Sequence, residues 1–190
     1  MNNPSIVIVL AEDAHQSRLV YQFLVCAGIL RHQIRIVASP PAHGSGEQWV
    51  RERYVCEVIA CRRRSASKGK TALVVVLDSD TQVVQKRLHG LAQSLVDNDQ
   101  PPIDEKMESV AHLIPKRNVE TWILSLNKIS VDESQDYKGT RNKSDWSNLI
   151  PKASQALYEL YIQEVRLNPV LIDSLRLGIQ ELRHTFARRS

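Results

Sequence analysis

The chain has 190 residues, 43% of them apolar, with a net charge of +4 and a pI near 9.0. That length supports one sizeable α/β core, alone or with an appended helical piece, and the charge permits a nucleic-acid partner without demanding one. The three cysteines, Cys26, Cys56 and Cys61, are odd in number and form no C-x-x-C pair, which argues for plain core thiols in a reduced compartment and against a zinc site.

The first residues, MNNPSIVIVLAED, lack the basic start and long apolar stretch of a signal peptide, and Ser5 to Ala11 is too short to span a bilayer. The expectation is a cytoplasmic protein with no membrane partner. Ser5 to Leu10 reads as a buried strand, followed by Ala11, Glu12 and Asp13. Leu19, Val20, Phe23, Leu24 and Ala27 then recur at helical spacing, with Gly28 as the stop. His32 to Val37 alternates polar and apolar, as a more exposed strand does, so the opening segment reads as a βαβ unit.

Ser39 to Gly46 is a loop by composition, and its Gly-Ser-Gly lacks the G-K-[S/T] ending of a phosphate loop. Gln48 to Arg64 returns to helical spacing, with Trp49, Tyr54, Val58 and Cys61 as core contacts. It ends in the basic run Arg62 to Arg64, which reads as a solvated helix end.

Ala72 to Leu77 is an apolar run with three consecutive valines, the pattern of a strand buried on both faces of a parallel sheet. It ends abruptly in Asp78-Ser79-Asp80. Thr81 to Val96 reads as a helix with a stripe of Val83, Val84, Leu88, Leu91, Ala92 and Leu95. Glu108 to Ile114 is a fourth strand, and Asn118 caps a helix whose first turn holds Glu120. Asn127 to Asn148 is polar and reads as a loop. Pro151 opens the next helix, and Asn168-Pro169 starts a last one carrying Leu171, Leu175, Ile179, Leu182 and Phe186. The organisation expected is an α/β domain over residues 1–127, a polar loop over 128–150 and a helical hairpin over 151–190 packed on the same domain.

Four acids thus stand at three strand ends: Glu12, Asp78 with Asp80, and Glu120. In a parallel sheet these ends share one edge, where ligands bind. Ordinary helix capping favours Asp, Ser, Thr or Asn, whereas two of these junctions carry Glu. Clustered carboxylates repel unless a cation lies between them, so a hard, oxygen-liganded ion such as Mg²⁺ is the economical reading.

The strand-then-acid run SIVIVLAE, the strand-then-D-x-D run VVVLDSD and the segment IPKRNVETWIL resemble the Toprim superfamily. They resemble in particular its small stand-alone bacterial nucleases, related to the Toprim domain of overcoming-lysogenization-defect proteins. The resemblance covers roughly Ser5 to Leu126. One departure is Asp13, where Toprim proteins often have Gly after the Glu.

The resemblance implies a three-layer α/β/α domain with a mainly parallel four-stranded sheet and a C-terminal helical extension. It implies Mg²⁺-dependent nuclease chemistry, with Mn²⁺ as a substitute, on DNA or RNA. Glu12, Asp78, Asp80 and Glu120 would be the metal and catalytic acids, and Lys116 and Arg117 would neutralise charge on the phosphate. It also implies an ATPase partner in antiphage defence. Among the competing functions are a Toprim-shaped subunit without catalysis and a receiver-like domain with Asp78 as phospho-acceptor. The second lacks the usual Ser or Thr after the fourth strand and the later switch lysine.

Overall fold

The computed structural model describes residues 4–38, 46–67, 69–80, 82–163 and 171–186. The predicted loop Ser39 to Gly46 and the Asn168-Pro169 helix start fall largely or wholly outside them. No described helix is long and apolar enough to cross a membrane.

Four strands, β1 (Ile6–Ala11), β2 (Ile34–Ala38), β3 (Thr71–Val76) and β4 (Val110–Leu113), form one all-parallel sheet in the order β2-β1-β3-β4. β1 and β3 are central and apolar throughout because both their faces are covered. Period-two alternation sends Val7, Val9, Val74 and Val76 into one core and Ile8, Leu10, Leu73 and Val75 into the other. The first core is closed by α1 (Ala14–Cys26), α4 (Val119–Leu126), α5 (Lys143–Ile162) and α6 (Asp173–Phe186). The second is closed by α2 (Gly46–Ala66) and α3 (Val84–Val96). The result is the expected three-layer α/β/α architecture.

The chain runs from β1 outward to β2, then crosses back over β1 to β3 and on to β4. The direction of winding therefore reverses between β1 and β3. In open parallel sheets the crevice at the carboxyl ends of such a strand pair is where ligands bind. Glu12 and Asp78 follow these two strands.

Two boundaries differ from the sequence reading. α3 starts at Val84, not Thr81, because Asp80 turns into the left-handed region (φ +53) and Val83 stays extended. Val83 is consequently 69% exposed and Ala92 lies on the outer face, so neither joins the stripe. α5 starts at Lys143, inside the segment read as loop, and Pro151 lies within the helix rather than at its start. Asn142 supplies the cap by accepting the Asp145 backbone N–H at 2.9 Å, while Trp146 and Ile150 supply the apolar stripe. Pro151 sits on the exposed face, where the lost N–H costs least.

The C-terminal helices pack on the α/β body. α5 rests on α1 and α4, α6 covers the edge strand β4, and both share one core with the sheet.

Beneath β4, the Tyr54 hydroxyl lies 3.0 Å from His112 Nε2, and the His112 backbone N–H donates to Glu181 Oε2 at 3.1 Å. Burial pushes the His112 imidazole down to about 4, from an ordinary value of 6.5. The unfolded chain takes up a proton at 6.5 that the fold refuses until about 4, so stability is lost as pH falls through that window. The expected outcome is a melting temperature that drops between pH 7 and pH 4.5, with His112→Gln flattening that drop. Thermal melts across the pH series measure it.

Candidate functional site

Glu12 leaves the end of β1 and Asp13 caps α1, its Oδ1 accepting the Gln16 backbone N–H at 2.9 Å. Gln16, fully buried, binds the two strand ends together. Its Oε1 accepts the Glu12 backbone N–H at 2.8 Å and its Nε2 donates to Asp78 Oδ1 at 2.9 Å. Asp78 is 0% exposed. Its other oxygen, Oδ2, pairs at 2.8 Å with the Nζ of Lys138, whose side chain is 41% exposed.

Burial drives the Asp78 carboxyl up to about 7 despite the ammonium beside it, and the charges of Asp13 and Glu12 add to the rise. Glu12 is also raised, by burial first and then by Asp80 and Asp13, against the pull of Lys138 and the Asp78 backbone N–H. Glu12 Oε2 is buried without a hydrogen-bond partner. The first residue of α2, Gly46, packs on Glu12 so closely that a Cβ there would collide with Glu12 Cγ. Lys138 loses by burial but gains more from Asp78, Glu12 and Asp13, so its ammonium is held charged.

The remaining predicted residues stand further off. Asp80 turns away onto α3, where its Oδ2 accepts from Arg87 Nη2 at 3.1 Å, and Arg87 also pairs with Glu47. Its charge still reaches Glu12. Glu120, 2% exposed in the first turn of α4, meets His15 Nδ1 at 2.7 Å rather than the Asp78 cluster, and its Oε2 is buried without a partner. That hydrogen bond raises the His15 pKa against the effect of burial. Lys116 is exposed, and Arg117 lies 3.8 Å from Asp136. What this segment gives the acidic turn is backbone: the carbonyls of Pro115 and Arg117 accept the N–H groups of Ser79 and Asp80 at 2.9 and 3.0 Å.

Comparison with protein-family models, with curated proteins and with solved structures finds no match. The functional reading therefore rests on the residues themselves.

Sequence reasoning missed Lys138, Gln16 and Arg87. Lys138 lies in an irregular polar loop, and no periodic signal announces its return to a strand end passed much earlier in the chain. Gln16 did carry a signal: it sits one helical turn after Glu12, on the side of α1 that leads into the apolar stripe.

Among the described residues, no group of three or more His, Cys, Asp or Glu side chains is arranged to hold a metal ion. Mg²⁺ asks for less, since one or two carboxylates hold it while water and substrate phosphates complete the shell. Glu12 Oε2, buried and unpartnered, and Asp78 Oδ2 are hard oxygens of that kind. In this structure the Lys138 ammonium takes the Asp78 oxygen that such an ion would need.

Proposed function

We propose that this chain is a Mg²⁺-dependent phosphodiester hydrolase of Toprim type acting on nucleic acid. The observation that carries the reading is the Asp78 centre. A fully buried carboxylate with a pKa near 7 lies beside a second carboxylate with an orphaned oxygen, at the point where the sheet reverses its winding. Such an arrangement weakens the fold, and strongly perturbed groups in that position are a mark of function.

Asp78 and Glu12 would hold the ion, which would polarise the scissile phosphate and activate water. Lys138, released from Asp78, has the charge and reach to neutralise the phosphate oxygens. Glu12, whose carboxyl is raised by burial, would be the general acid or base if Asp78 alone held the ion. Glu120 acts through His15 in this reading, and Asp80 through its charge. A cytoplasmic location and an ATPase partner in antiphage defence enter only through the resemblance.

The test is hydrolysis of bis(p-nitrophenyl) phosphate and of single-stranded oligonucleotides by the wild-type chain. Mg²⁺ or Mn²⁺ is expected to support turnover and EDTA to abolish it. A chain inert toward both substrates with either ion would instead be a subunit without catalysis.

One observation favours a receiver-like reading. A lysine does reach the aspartate after β3, although it comes from the loop between α4 and α5. Phosphate transfer to Asp78 from acetyl phosphate would establish that reading. The complete burial of both Asp78 oxygens, one on Gln16 and one on Lys138, weighs against it.

A further inference from the structure

The segment between α4 and α5 does more than bring Lys138 to Asp78. It is tied down at Asp136, whose Oδ1 accepts from Asn118 Nδ2 at 2.7 Å, and Gly139 turns it with φ +77. Within the next few residues it presents Arg141 and Lys143, both exposed, and then enters α5. The first turn of α5 lies against α1. The Trp146 ring is centred 5.6 Å from that of His15, and Arg18 Nη1 donates to Ser147 Oγ at 3.4 Å. His15 and Arg18 are one turn apart on α1 and share that face.

We propose that Arg141 and Lys143 together with His15 and Arg18 form a track for the phosphates of a single nucleic-acid strand leading to the Asp78 centre. This rests on the reading above for what happens at Asp78.

The charge balance along the track favours a polyanion. No described carboxylate pairs with Arg141 or Lys143. Two of the acids nearby are engaged, Glu120 on His15 and Asp136 on Asn118 and Arg117, while Asp145 is half-buried in the first turn of α5. Asp13, half-buried, is spent on the cap of α1.

The other basic run, Arg62 to Arg64, cannot serve. It ends α2 beside the opposite edge of the sheet, where Gly69 bonds the Arg64 carbonyl and Ser5 the Lys70 carbonyl, and Arg62 is locked to Glu108 at 2.8 Å. Trp146 is 3% exposed, so it cannot stack on a base. The track reads phosphate, which makes binding independent of base sequence and steeply dependent on salt.

The test compares the wild-type chain with R141A/K143A. Both side chains are exposed, so the melting temperature should hold. Binding of a fluorescent single-stranded oligonucleotide is followed by anisotropy over a salt series, and bis(p-nitrophenyl) phosphate hydrolysis is followed in parallel. The double variant is expected to bind about 10-fold more weakly at 0.1 M salt, and its log–log salt slope should be shallower by roughly 1.4, for two lost single-strand contacts. Hydrolysis of the small ester should not change. Unchanged affinity and slope in the variant would overturn the track, as would a wild-type chain that does not bind the strand. If the wild-type chain binds the strand with the expected salt slope but hydrolyses neither substrate, the hydrolase reading fails and the track stands.

Discussion

Asp78→Asn should lower phosphodiester hydrolysis by roughly 10³-fold while leaving the protein as stable as before, or more so, above neutral pH. The stability argument is electrostatic. In the unfolded chain the carboxyl ionises at its ordinary 3.8, and in the fold at about 7. Between these values the folded state holds a proton that the unfolded state has released, so raising the pH through the window destabilises the fold. At about 1.4 kcal/mol per unit, the full penalty above pH 7 is on the order of 4 kcal/mol.

Asparagine removes the charge and keeps an oxygen for Gln16 Nε2, and Lys138, being 41% exposed, can turn to water. A melting temperature at pH 8 higher by at least ~3 °C is expected, since about 1 kcal/mol moves Tm by 2–4 °C in a chain of this size. His112 acts in the opposite direction. In the wild type, protonation of Asp78 on acidification offsets part of what His112 loses, so Asp78→Asn should show the steeper decline between pH 7 and pH 4.5. A variant that keeps its hydrolase activity, or that melts lower at pH 8, would refute the functional account of this carboxylate.

Trp122→Ala should produce the largest loss of stability, about 3–5 kcal/mol, or a fall in Tm of roughly 6–20 °C. Trp122 is 1% exposed, and its indole N–H donates to Ser174 Oγ at 2.7 Å, which joins α4 to α6. Ser174 in turn donates to Glu133 Oε1 at 2.5 Å, drawing in the loop that carries Lys138. The indole fits only because residue 178 is glycine, where an added Cβ would collide with Trp122 Cη2.

Gly178→Ala alone should therefore cost about 1–3 kcal/mol by overpacking. In the Trp122→Ala background the same methyl enters the vacated space and should be neutral or stabilising. The non-additivity of this double-mutant cycle, read from denaturant melts, measures the contact directly. Additive effects would mean that α6 does not seat on the indole.

Where the chain carries strong periodicity, its elements could be read without coordinates. SIVIVL and TALVVVL read as doubly covered strands, and Leu19, Phe23 and Leu24 as the inner face of a helix. Asn118 announces α4. The segment Asn127 to Asn148 misleads because composition outweighs pattern there. Its polar residues hide Asn142 and Trp146, which with Ile150 just beyond the segment cap and bury the first turns of α5. Pro151 looks like a helix start because proline suits the first turn, yet on an exposed face the interior tolerates it.

The acids show the same division. Their positions at strand ends follow from the pattern of the chain, because a buried strand must end where polar residues begin. Which of them face one another does not follow from it. Asp78 points inward to Gln16 and Lys138, Asp80 swings out to Arg87 through a left-handed turn, and Glu120 finds His15. Local sequence determined the strands, the helices and the parallel α/β class, since hydrophobic periodicity and capping act over a few residues. Only the tertiary structure decided which charges are paired, because a salt bridge such as Lys138 to Asp78 joins residues far apart in the chain, and no local preference encodes that meeting.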